Sequence, residues 1–188
     1  MGEEKKASFY DNIPDNSPYR KDPKNTNWYP LWMKVLSMLD DNEAFVDFGC
    51  GTGQFAELAF KANKNYVMGM DFSTKRLGLA IHRNLKHADR FMLADLTDPD
   101  TYTDIEYDTA LFCEVMEHIK DDLTVIGYIE TGKRIIITLP SWDARAHVRH
   151  FKSIDEIRNR YSSAIHIINT ITLPVQTKKF FIIDGVRL

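Results

Sequence analysis

The most constraining feature of this sequence is the stretch from Phe45 to Phe55, where an apolar run gives way to three glycines at alternate positions. The run before the glycines has the composition of a buried strand, and a helical pattern begins directly after them. Glycine has no Cβ, so such a turn lets a ligand approach backbone N–H groups and the helix N-terminus closely. The dinucleotide fingerprint requires a third glycine five positions after the first, where this chain has Gln54. The stretch therefore predicts a site for a nucleoside-type cofactor other than a dinucleotide.

The spacing of Asp47, Gly49, Gly51 and Gly53 resembles motif I of the class I S-adenosylmethionine-dependent methyltransferases. The resemblance covers roughly residues 28–188. It implies that Asp47 holds the methionine end of S-adenosyl-L-methionine, with S-adenosyl-L-homocysteine as the product. The glycines would let the main chain approach this cofactor. The other residues of the turn that the resemblance assigns to the cofactor are Cys50, Gln54 and Phe55.

Two further acids end the next two predicted strands. Asp71 follows Gly49 by 22 residues, close to the spacing of about 20 at which an acid meets a ribose in nucleotide-binding units. A carboxylate there can accept from both ribose hydroxyls and would repel a 2′-phosphate. In the family, an acid at the position of Asp95 accepts from the adenine amine, and Leu96 would pack beside the ring. The remaining predicted cofactor contacts are Phe72, Ser73, Cys113 and Glu114.

Length and composition favour one ordinary globular domain. The chain has 188 residues, 44% hydrophobic and 27% charged, with a formal net charge of −3. This charge gives no reason to expect a nucleic-acid partner, and no apolar run approaches the ~20 residues of a membrane helix. The two cysteines cannot form a disulfide framework. We therefore expect a reduced, cytoplasmic protein without membrane insertion, as a monomer or homodimer.

Hydrophobic periodicity predicts alternating strands and helices. Strands are predicted at the start of the 45–55 stretch and at 66–71, 90–95, 107–113, 133–138, 164–173 and 177–184. Helices are predicted at 28–39 and at 115–130. A further helix follows Gly53, with a buried face that reaches Ala62, and another follows an N-cap at Ser73, with an apolar stripe that reaches Leu85. The last begins with a capping box at Ser153 and ends at about Tyr161.

This alternation predicts an α/β fold with a doubly wound parallel sheet and helices on both faces. A three-residue connection at 174–176 predicts that the last two strands are antiparallel. Such a pair is what the class I methyltransferase fold adds to a Rossmann-like sheet. The resemblance therefore implies seven strands in the order 3-2-1-4-5-7-6, with strand 7 antiparallel.

Residues 1–27 are polar and rich in prolines, but they also contain aromatic residues. A wholly disordered tail rarely contains so many aromatic residues, so we expect part of this segment to dock as a lid over the active site of a domain spanning 28–188. The aromatic residues predicted to contact the substrate are Tyr10, Tyr19, Trp28 and Tyr29.

The residues after the fourth strand, Glu114 to His118, hold the predicted catalytic groups. In a helix, Glu114, Glu117 and His118 would share one face and could serve as an acid–base cluster or bind a divalent cation. The pattern resembles the ubiquinone-pathway O-methyltransferases. It also resembles the plant small-RNA 2′-O-methyltransferases, in which a further histidine completes a metal site. His147 and His150 are candidates for that histidine, and Glu114, Glu117, His118 and His147 form the candidate metal set. His118 is the predicted general base. The alternative is a helix cap with exposed charges.

Arg145 and Arg149 flank these histidines and would face either an anionic substrate or solvent. The amino-methyltransferases of DNA and RNA have an Asn-Pro-Pro-Tyr or Asp-Pro-Pro-Tyr segment after strand 4. This chain does not resemble them there. We therefore expect methyl transfer to a small-molecule or glycan acceptor, at a hydroxyl oxygen. The alternatives are a metal-dependent RNA ribose 2′-O-methyltransferase and a non-catalytic S-adenosylmethionine-binding module.

Cys50 and Cys113 would form a thiol pair beside the cofactor or simply fill tight turns.

Overall fold

One mixed sheet organises the fold, as described for residues 2–188 by a computed structural model. Met1, the first residue of the predicted lid segment, lies outside the described residues. The strands are β1 (Phe45–Phe48), β2 (Tyr66–Asp71), β3 (Phe91–Leu93), β4 (Thr109–Cys113), β5 (Arg134–Pro140), β6 (Ile165–Val175) and β7 (Lys178–Arg187). Their order is β3-β2-β1-β4-β5-β7-β6. The first five strands pair in parallel, whereas β7 is antiparallel to β5 and β6. The predicted fold class and sheet order are confirmed.

Six helices accompany the described strands. They are α1 (Ala7–Tyr10), α2 (Tyr29–Leu36), α3 (Gln54–Lys61), α4 (Thr74–Arg83), α5 (Asp122–Tyr128) and α6 (Ile154–Tyr161). Two helices begin at predicted caps. The Ser73 hydroxyl accepts from the Arg76 N–H at 3.2 Å, and the Ser153 hydroxyl accepts from the Glu156 N–H at 3.3 Å. No helix within residues 2–188 is long and apolar enough to cross a membrane.

The core lies on both faces of the sheet. In β5 the side chains alternate, so Ile136 packs with one cluster while Ile135 and Ile137 pack with the other. The Ile136 cluster contains residues of α2, α3 and α4, and the opposite cluster contains residues of α5 and α6. This arrangement leaves the carboxyl edge of the parallel strands as the place where loops and side chains can form a site.

The predicted helix over 115–130 is wrong in its first half, because only α5 is helical there. Glu114 has a φ of 57°, in the left-handed region, and the residues after it form a turn. The Glu117 carbonyl, which a helix would use for the N–H four residues later, accepts instead from the Val148 N–H at 2.8 Å. A contact with the segment after β5 therefore replaces the helical hydrogen bond.

Three local predictions also differ from the structure. Ala62 is exposed because it follows the end of α3. Leu85 is 67% exposed because α4 ends at Arg83, where the Asn84 side chain donates to the Ala80 carbonyl at 3.0 Å. The last hairpin turns over residues 176–177 alone, since β6 continues until Val175 pairs with Lys178.

Candidate functional site

Two adjoining chambers lie at the carboxyl edge of the sheet. The smaller chamber, about 100 Å³, is lined by Asp71, Phe72, Asp95 and Leu96 among others. The larger chamber, about 640 Å³, is lined by the glycine turn, Asp47, and residues that follow β4 and β5. The residues common to both linings are Tyr10, Gly49, Arg76, Glu114 and His118.

The glycine turn separates the two chambers and packs tightly on its neighbours. Gly49 has a φ of +85°, and a Cβ there would lie 2.5 Å from a methyl carbon of Val115. A Cβ on Gly53, whose φ is +70°, would lie 2.8 Å from Ala80. Both positions therefore require glycine for conformation and for space. The Gly51 N–H donates to Asp71 Oδ2 at 2.9 Å, which ties the turn to the end of β2.

Asp47 is buried beneath the turn, with 1% of its surface exposed. Its Oδ2 accepts from the Tyr66 hydroxyl at 3.2 Å, while Oδ1 has no partner among the described residues. Burial raises the pKa of Asp47 to about 7. A buried acceptor without a partner is uncommon in folded proteins, so this oxygen is a candidate ligand contact.

Asp71 and Asp95 both line the smaller chamber, but they differ in burial and in hydrogen-bond partners. Asp71 is buried, and its Oδ1 accepts from the Ser73 N–H at 2.9 Å while Oδ2 serves the glycine turn. Burial raises the pKa of Asp71. Asp95 is exposed, and its Oδ1 accepts from the N–H and hydroxyl of Thr97. Each carboxylate keeps acceptor capacity beyond these bonds.

Residues 2–27, hereafter the strap, lie across both chambers. The Tyr10 ring packs on Phe72 at 5.3 Å and edge-on to His118 at 5.8 Å between ring centroids. Hydrogen bonds also join the strap to the rest of the domain. The Lys120 N–H donates to Glu4 Oε2 at 3.0 Å, and the Thr52 hydroxyl donates to the Tyr19 carbonyl at 2.8 Å.

Two residues predicted to contact the cofactor donate hydrogen bonds to the strap. The Gln54 amide donates to the Pro18 carbonyl at 3.1 Å and to the Lys21 carbonyl at 2.8 Å. The Ser73 hydroxyl donates to Asp11 Oδ1 at 2.7 Å. Their side-chain donors are therefore occupied by the N-terminal segment.

The two cysteines are free thiols that line the larger chamber. Burial raises the pKa of the Cys50 thiol and that of the Cys113 thiol well above their usual value. A neutral buried thiol is a poor nucleophile, so the geometry favours these cysteines as small residues filling the turns.

Glu117, His118 and His147 come together at the base of the larger chamber and are called the Glu117 cluster. One potential ligand atom from each lies within 4.8 Å of those of the other two. The His118 Nδ1–H donates to the Ala146 carbonyl at 3.0 Å, and the His147 Nδ1–H donates to the Trp142 carbonyl at 3.1 Å. These carbonyls accept only, so they fix each neutral imidazole with Nε2 as its free acceptor.

Burial favours the neutral form of every member of the Glu117 cluster. Glu117 has no exposed surface, and neither carboxyl oxygen has a partner among the described residues. Burial, reinforced by nearby Glu114, raises the pKa of Glu117 well above its usual value. Burial also lowers the pKa of His118 to about 4 and lowers the pKa of His147. The cluster therefore has two free imidazole acceptors beside an unsatisfied carboxyl group.

Glu114 and His150 are near the Glu117 cluster but are not members of it. Glu114 lines both chambers, but its Oε1 accepts from the Thr138 hydroxyl at 3.1 Å, and burial raises its pKa to about 8. His150 Nδ1 lies 3.9 Å from Asp143 Oδ1, and His150 is not among the described residues lining either chamber.

The predicted substrate contacts divide into two groups. Tyr10, Tyr19, Trp28 and Arg145 line the larger chamber. By contrast, the Arg149 guanidinium lies 3.0 Å from Asp122 Oδ2 and donates to main-chain carbonyls after β4. Arg149 thus fixes the turn that presents the Glu117 cluster, and Tyr29, the first residue of α2, packs against the core.

Arg76 and two tryptophans were missed by sequence reasoning. Arg76 lines both chambers, and Trp32 and Trp142 line the larger one. The sequence did contain a signal for Arg76. It lies three positions after the predicted N-cap Ser73, which places it in the first helical turn, close to the carboxyl end of β2. Trp32 is part of the predicted buried face of α2, and no sequence signal separates it from core residues.

Comparison with known proteins agrees with this geometry. Residues 46–130 match the family model described as a methyltransferase domain. The matched region spans β1 to the end of α5 and so includes the glycine turn, Asp71, Asp95 and the segment after β4. This region of the chain is therefore similar to methyltransferase domains.

One curated relative and two solved structures illustrate the family. Trans-aconitate 2-methyltransferase of Rhodopseudomonas palustris (strain BisB18) is 30% identical over 114 residues, which are 58% of this chain. The match covers 44% of that enzyme, so the chain spans less than half of its length.

The solved structures show the same fold over nearly the whole chain. Magnesium protoporphyrin IX methyltransferase from Synechocystis PCC 6803 with bound S-adenosylmethionine is 18% identical and has a TM-score of 0.67, covering 97% of this chain and 90% of that one. N-methyltransferase NodS from Bradyrhizobium japonicum WM9, in complex with S-adenosylhomocysteine, is 14% identical and has a TM-score of 0.71, covering 96% of each chain.

Proposed function

We propose that this protein is an S-adenosylmethionine-dependent methyltransferase that acts on a hydroxyl of a small-molecule or glycan acceptor. One observation carries the proposal: the glycine turn and buried acids adjoin a second chamber that holds a carboxyl group without partners and two imidazoles whose Nε2 atoms are free to accept. A non-catalytic donor-binding module would not need this second set of groups.

The residues of the smaller chamber and the turn fit the donor. The unpartnered Oδ1 of Asp47 suits an ammonium group, and Asp71 retains acceptor capacity for ribose hydroxyls. Asp95 and Leu96 together offer an acceptor and an apolar surface for an adenine. When bound, S-adenosylmethionine would supply a methyl group activated by its sulfonium.

The Glu117 cluster provides the proton acceptor that a hydroxyl acceptor needs. His118 is neutral at pH 7 because burial lowers its pKa to about 4, and its Nε2 is free to accept a proton. Glu117 Oε1 lies 3.6 Å from that Nε2, and loss of the Glu117 proton would favour the protonated imidazole. His118 thus acts as the base, with His147 beside it at 5.0 Å between ring centroids. General-base assistance of this kind contributes about 10²–10⁴-fold.

Aromatic walls support a small ring-shaped acceptor. Trp28, Trp32 and Trp142 line the larger chamber, and the Arg145 guanidinium lies at its edge, 5.6 Å from the Phe9 ring centroid. Aromatic faces suit sugars or planar rings, and an exposed arginine suits an acidic substituent. The strap covers the chamber as a lid in this proposal, which favours a small acceptor over a folded RNA.

The Glu117 cluster also supports a second candidate, a metal-dependent methyltransferase. Two histidines and one carboxylate form a common ligand set for divalent transition metals, and carbonyls that fix each Nδ1–H provide the outer contacts usual for ligating histidines. Glu117, His118 and His147 would hold the ion, which would act as a Lewis acid toward the acceptor oxygen. An RNA-terminal ribose is the acceptor class of this alternative.

Thermal denaturation separates the two candidates. A metal site predicts that Mn²⁺ or Zn²⁺ raises the Tm of the wild type, that His147→Ala abolishes this shift, and that His150→Ala preserves it. It also predicts transferase activity that a chelator abolishes and a divalent ion restores. Activity that is unaffected by a chelator would leave His118 as a metal-free base.

Donor binding is the direct test of the proposed function. Calorimetric titration with S-adenosylhomocysteine should give a Kd in the micromolar range for the wild type, because product and donor share the adenosine and amino-acid groups. Asp71→Ala should abolish detectable binding, and Asp71→Asn should weaken it less. Asp89→Ala, at an exposed site outside both chambers, is the matched control. Absence of binding by the wild type would refute the proposal.

A further inference from the structure

Arg76 occupies the boundary between the two chambers. It lies in the first turn of α4, and its side chain contributes to both linings. Its Nη1 lies 4.0 Å from the position that a Cβ would occupy on Gly51. The guanidinium therefore faces the glycine turn at Gly51.

The strap holds this guanidinium between two aromatic rings. The central guanidinium carbon lies 4.8 Å from the Tyr10 ring centroid and 4.6 Å from the Tyr19 ring centroid. The Arg76 Nε–H also donates to the Tyr10 carbonyl at 3.4 Å. Stacking between rings fixes the plane of a guanidinium while leaving the N–H groups along its edge free.

Arg76 has no carboxylate partner within residues 2–188, unlike the arginines that stabilise the fold. Arg83 pairs with Glu57 at 2.9 Å, and Arg134 pairs with Glu43 and Asp184 at 2.8 Å each. A partly buried guanidinium is usually paired with an anion. The charges of Asp11 and Asp71 act on Arg76 at longer range, so the guanidinium at the chamber boundary is available for a direct contact with a bound anion.

We propose that Arg76 binds the α-carboxylate of the donor's amino-acid part, an inference that rests on the proposed function. The unpartnered Asp47 Oδ1 offers an anionic contact in the larger chamber, and Arg76, which lines the same chamber, offers a cationic contact. Together they match the ammonium and carboxylate of a zwitterion. A carboxylate suits the fork of N–H donors that a guanidinium presents.

The same contact couples donor binding to closure of the strap. Tyr10 and Tyr19 belong to the strap and hold the guanidinium in place. A donor that binds this guanidinium therefore stabilises the docked strap, and the docked strap in turn strengthens donor binding, because coupling between two binding equilibria is reciprocal.

The test compares two nucleosides that differ only in the amino-acid part. 5′-Methylthioadenosine has the adenosine and sulfur of S-adenosylhomocysteine but lacks the α-amino carboxylate. Arg76→Met should weaken S-adenosylhomocysteine binding by about 10–100-fold, as expected for loss of a charged hydrogen bond, and change 5′-methylthioadenosine binding by less than threefold. Arg76→Lys, which keeps the charge without the fork, should be intermediate. Lys75→Met, at the exposed neighbouring position, should match the wild type.

The outcomes distinguish the inference from the proposed function. If the wild type binds neither nucleoside, the proposed function fails. If the wild type binds both and Arg76→Met weakens both equally or neither, the assignment of Arg76 is overturned while the proposed function stands. Retained 5′-methylthioadenosine binding by Arg76→Met also shows that the variant is folded.

Limited proteolysis tests the coupling separately. Trypsin cleavage in the strap after Arg20 or Lys21 should slow when S-adenosylhomocysteine saturates the wild type, and 5′-methylthioadenosine should slow it less. Arg76→Met saturated with S-adenosylhomocysteine should lose most of the protection. Equal protection of wild type and variant at saturation would overturn the coupling.

Discussion

Asp122 and Glu117 are both fully buried acids five residues apart, yet their surroundings are opposite. Asp122 Oδ2 accepts from the Tyr161 hydroxyl at 2.7 Å and the Arg160 Nε–H at 3.0 Å, and the Arg149 guanidinium lies 3.0 Å away. Glu117 has no partner for either oxygen within the described chain. A buried, paired acid stabilises its own fold, whereas a buried, unpaired acid costs stability and is best explained by a ligand.

The two regions are also physically connected. Arg149 pairs with Asp122 and donates to the Met116 carbonyl, so the satisfied acid fixes the turn that presents the unsatisfied one. Substitutions should separate the structural role of Asp122 from the proposed ligand-binding role of Glu117. The largest differences are expected in the free energy of unfolding and the smallest in the number of protons released on donor binding.

The largest expected effect is on the paired acid. Asp122→Ala should lower the free energy of unfolding by about 3–5 kcal/mol, because it removes the buried carboxylate that pairs with two partly buried guanidinium groups. Urea denaturation followed by circular dichroism measures this difference. Asp121→Ala is the matched control, because Asp121 is exposed and its side chain forms no capping bond, and it should stay within about 0.5 kcal/mol of the wild type. Equal stability of the Asp122 variant and the wild type would contradict the structural role.

The unpaired acid should respond with the opposite sign. Glu117→Met replaces a buried carboxyl group without partners by an apolar side chain of similar length, so we expect the free energy of unfolding to rise by about 1–3 kcal/mol at pH 8. The same urea experiment applies, with exposed Glu106→Gln as its control. A loss as large as that of the Asp122 variant would mean that Glu117 has a structural partner after all.

The pH dependence should sharpen the contrast. The pKa of Glu117 is raised on folding because of burial, so the folded protein binds more protons than the unfolded chain above the unfolded pKa of about 4.3. Glu117 therefore lowers stability progressively as pH rises from that value through the folded pKa. Glu117→Gln lacks this contribution, so its stability advantage over the wild type should grow between pH 5 and pH 8. An advantage independent of pH would contradict the raised pKa.

The smallest effect concerns protons released on donor binding. Burial raises the pKa of Asp47 to about 7, and an ammonium placed beside it would lower that pKa. At pH 6.5 the wild type should therefore release a fraction of one proton per S-adenosylhomocysteine bound. Calorimetry in buffers of different ionisation enthalpy measures this number. Asp47→Asn should release fewer protons, and an equal release would assign the proton to another group.

The predicted cofactor side depends on local sequence signals. The strand, the alternate glycines and Asp71 lie within 27 residues of one another, and each depends on backbone geometry that short spacing determines. The sheet order followed from the same alternation together with the family resemblance. The terminal hairpin was identified, although its turn lies at 176–177.

The proposed acceptor side was less predictable from the sequence because contacts between distant residues form it. The helix predicted after β4 is replaced by a turn since Val148, 31 residues away, takes the Glu117 carbonyl. Gln54 is occupied by the carbonyls of Pro18 and Lys21, more than 30 residues before it. Periodicity within one element contains no information on such pairings. Glu117, His118 and His147 still meet, although the predicted helix face that was to bring two of them together does not form.

The central claim is that the Glu117 cluster is the acceptor end of a methyl-transfer site. Transfer of a radiolabelled methyl group from S-adenosylmethionine into fractionated cell extract tests it most directly, with small molecules, glycans, lipids, RNA and protein separated afterwards. Wild type and Asp121→Ala should label a small-molecule or glycan fraction, and Glu117→Gln, folded and able to bind donor, should label it at least about 100-fold more slowly. Equal labelling by Glu117→Gln, or no labelling of any fraction by the wild type, would contradict the claim.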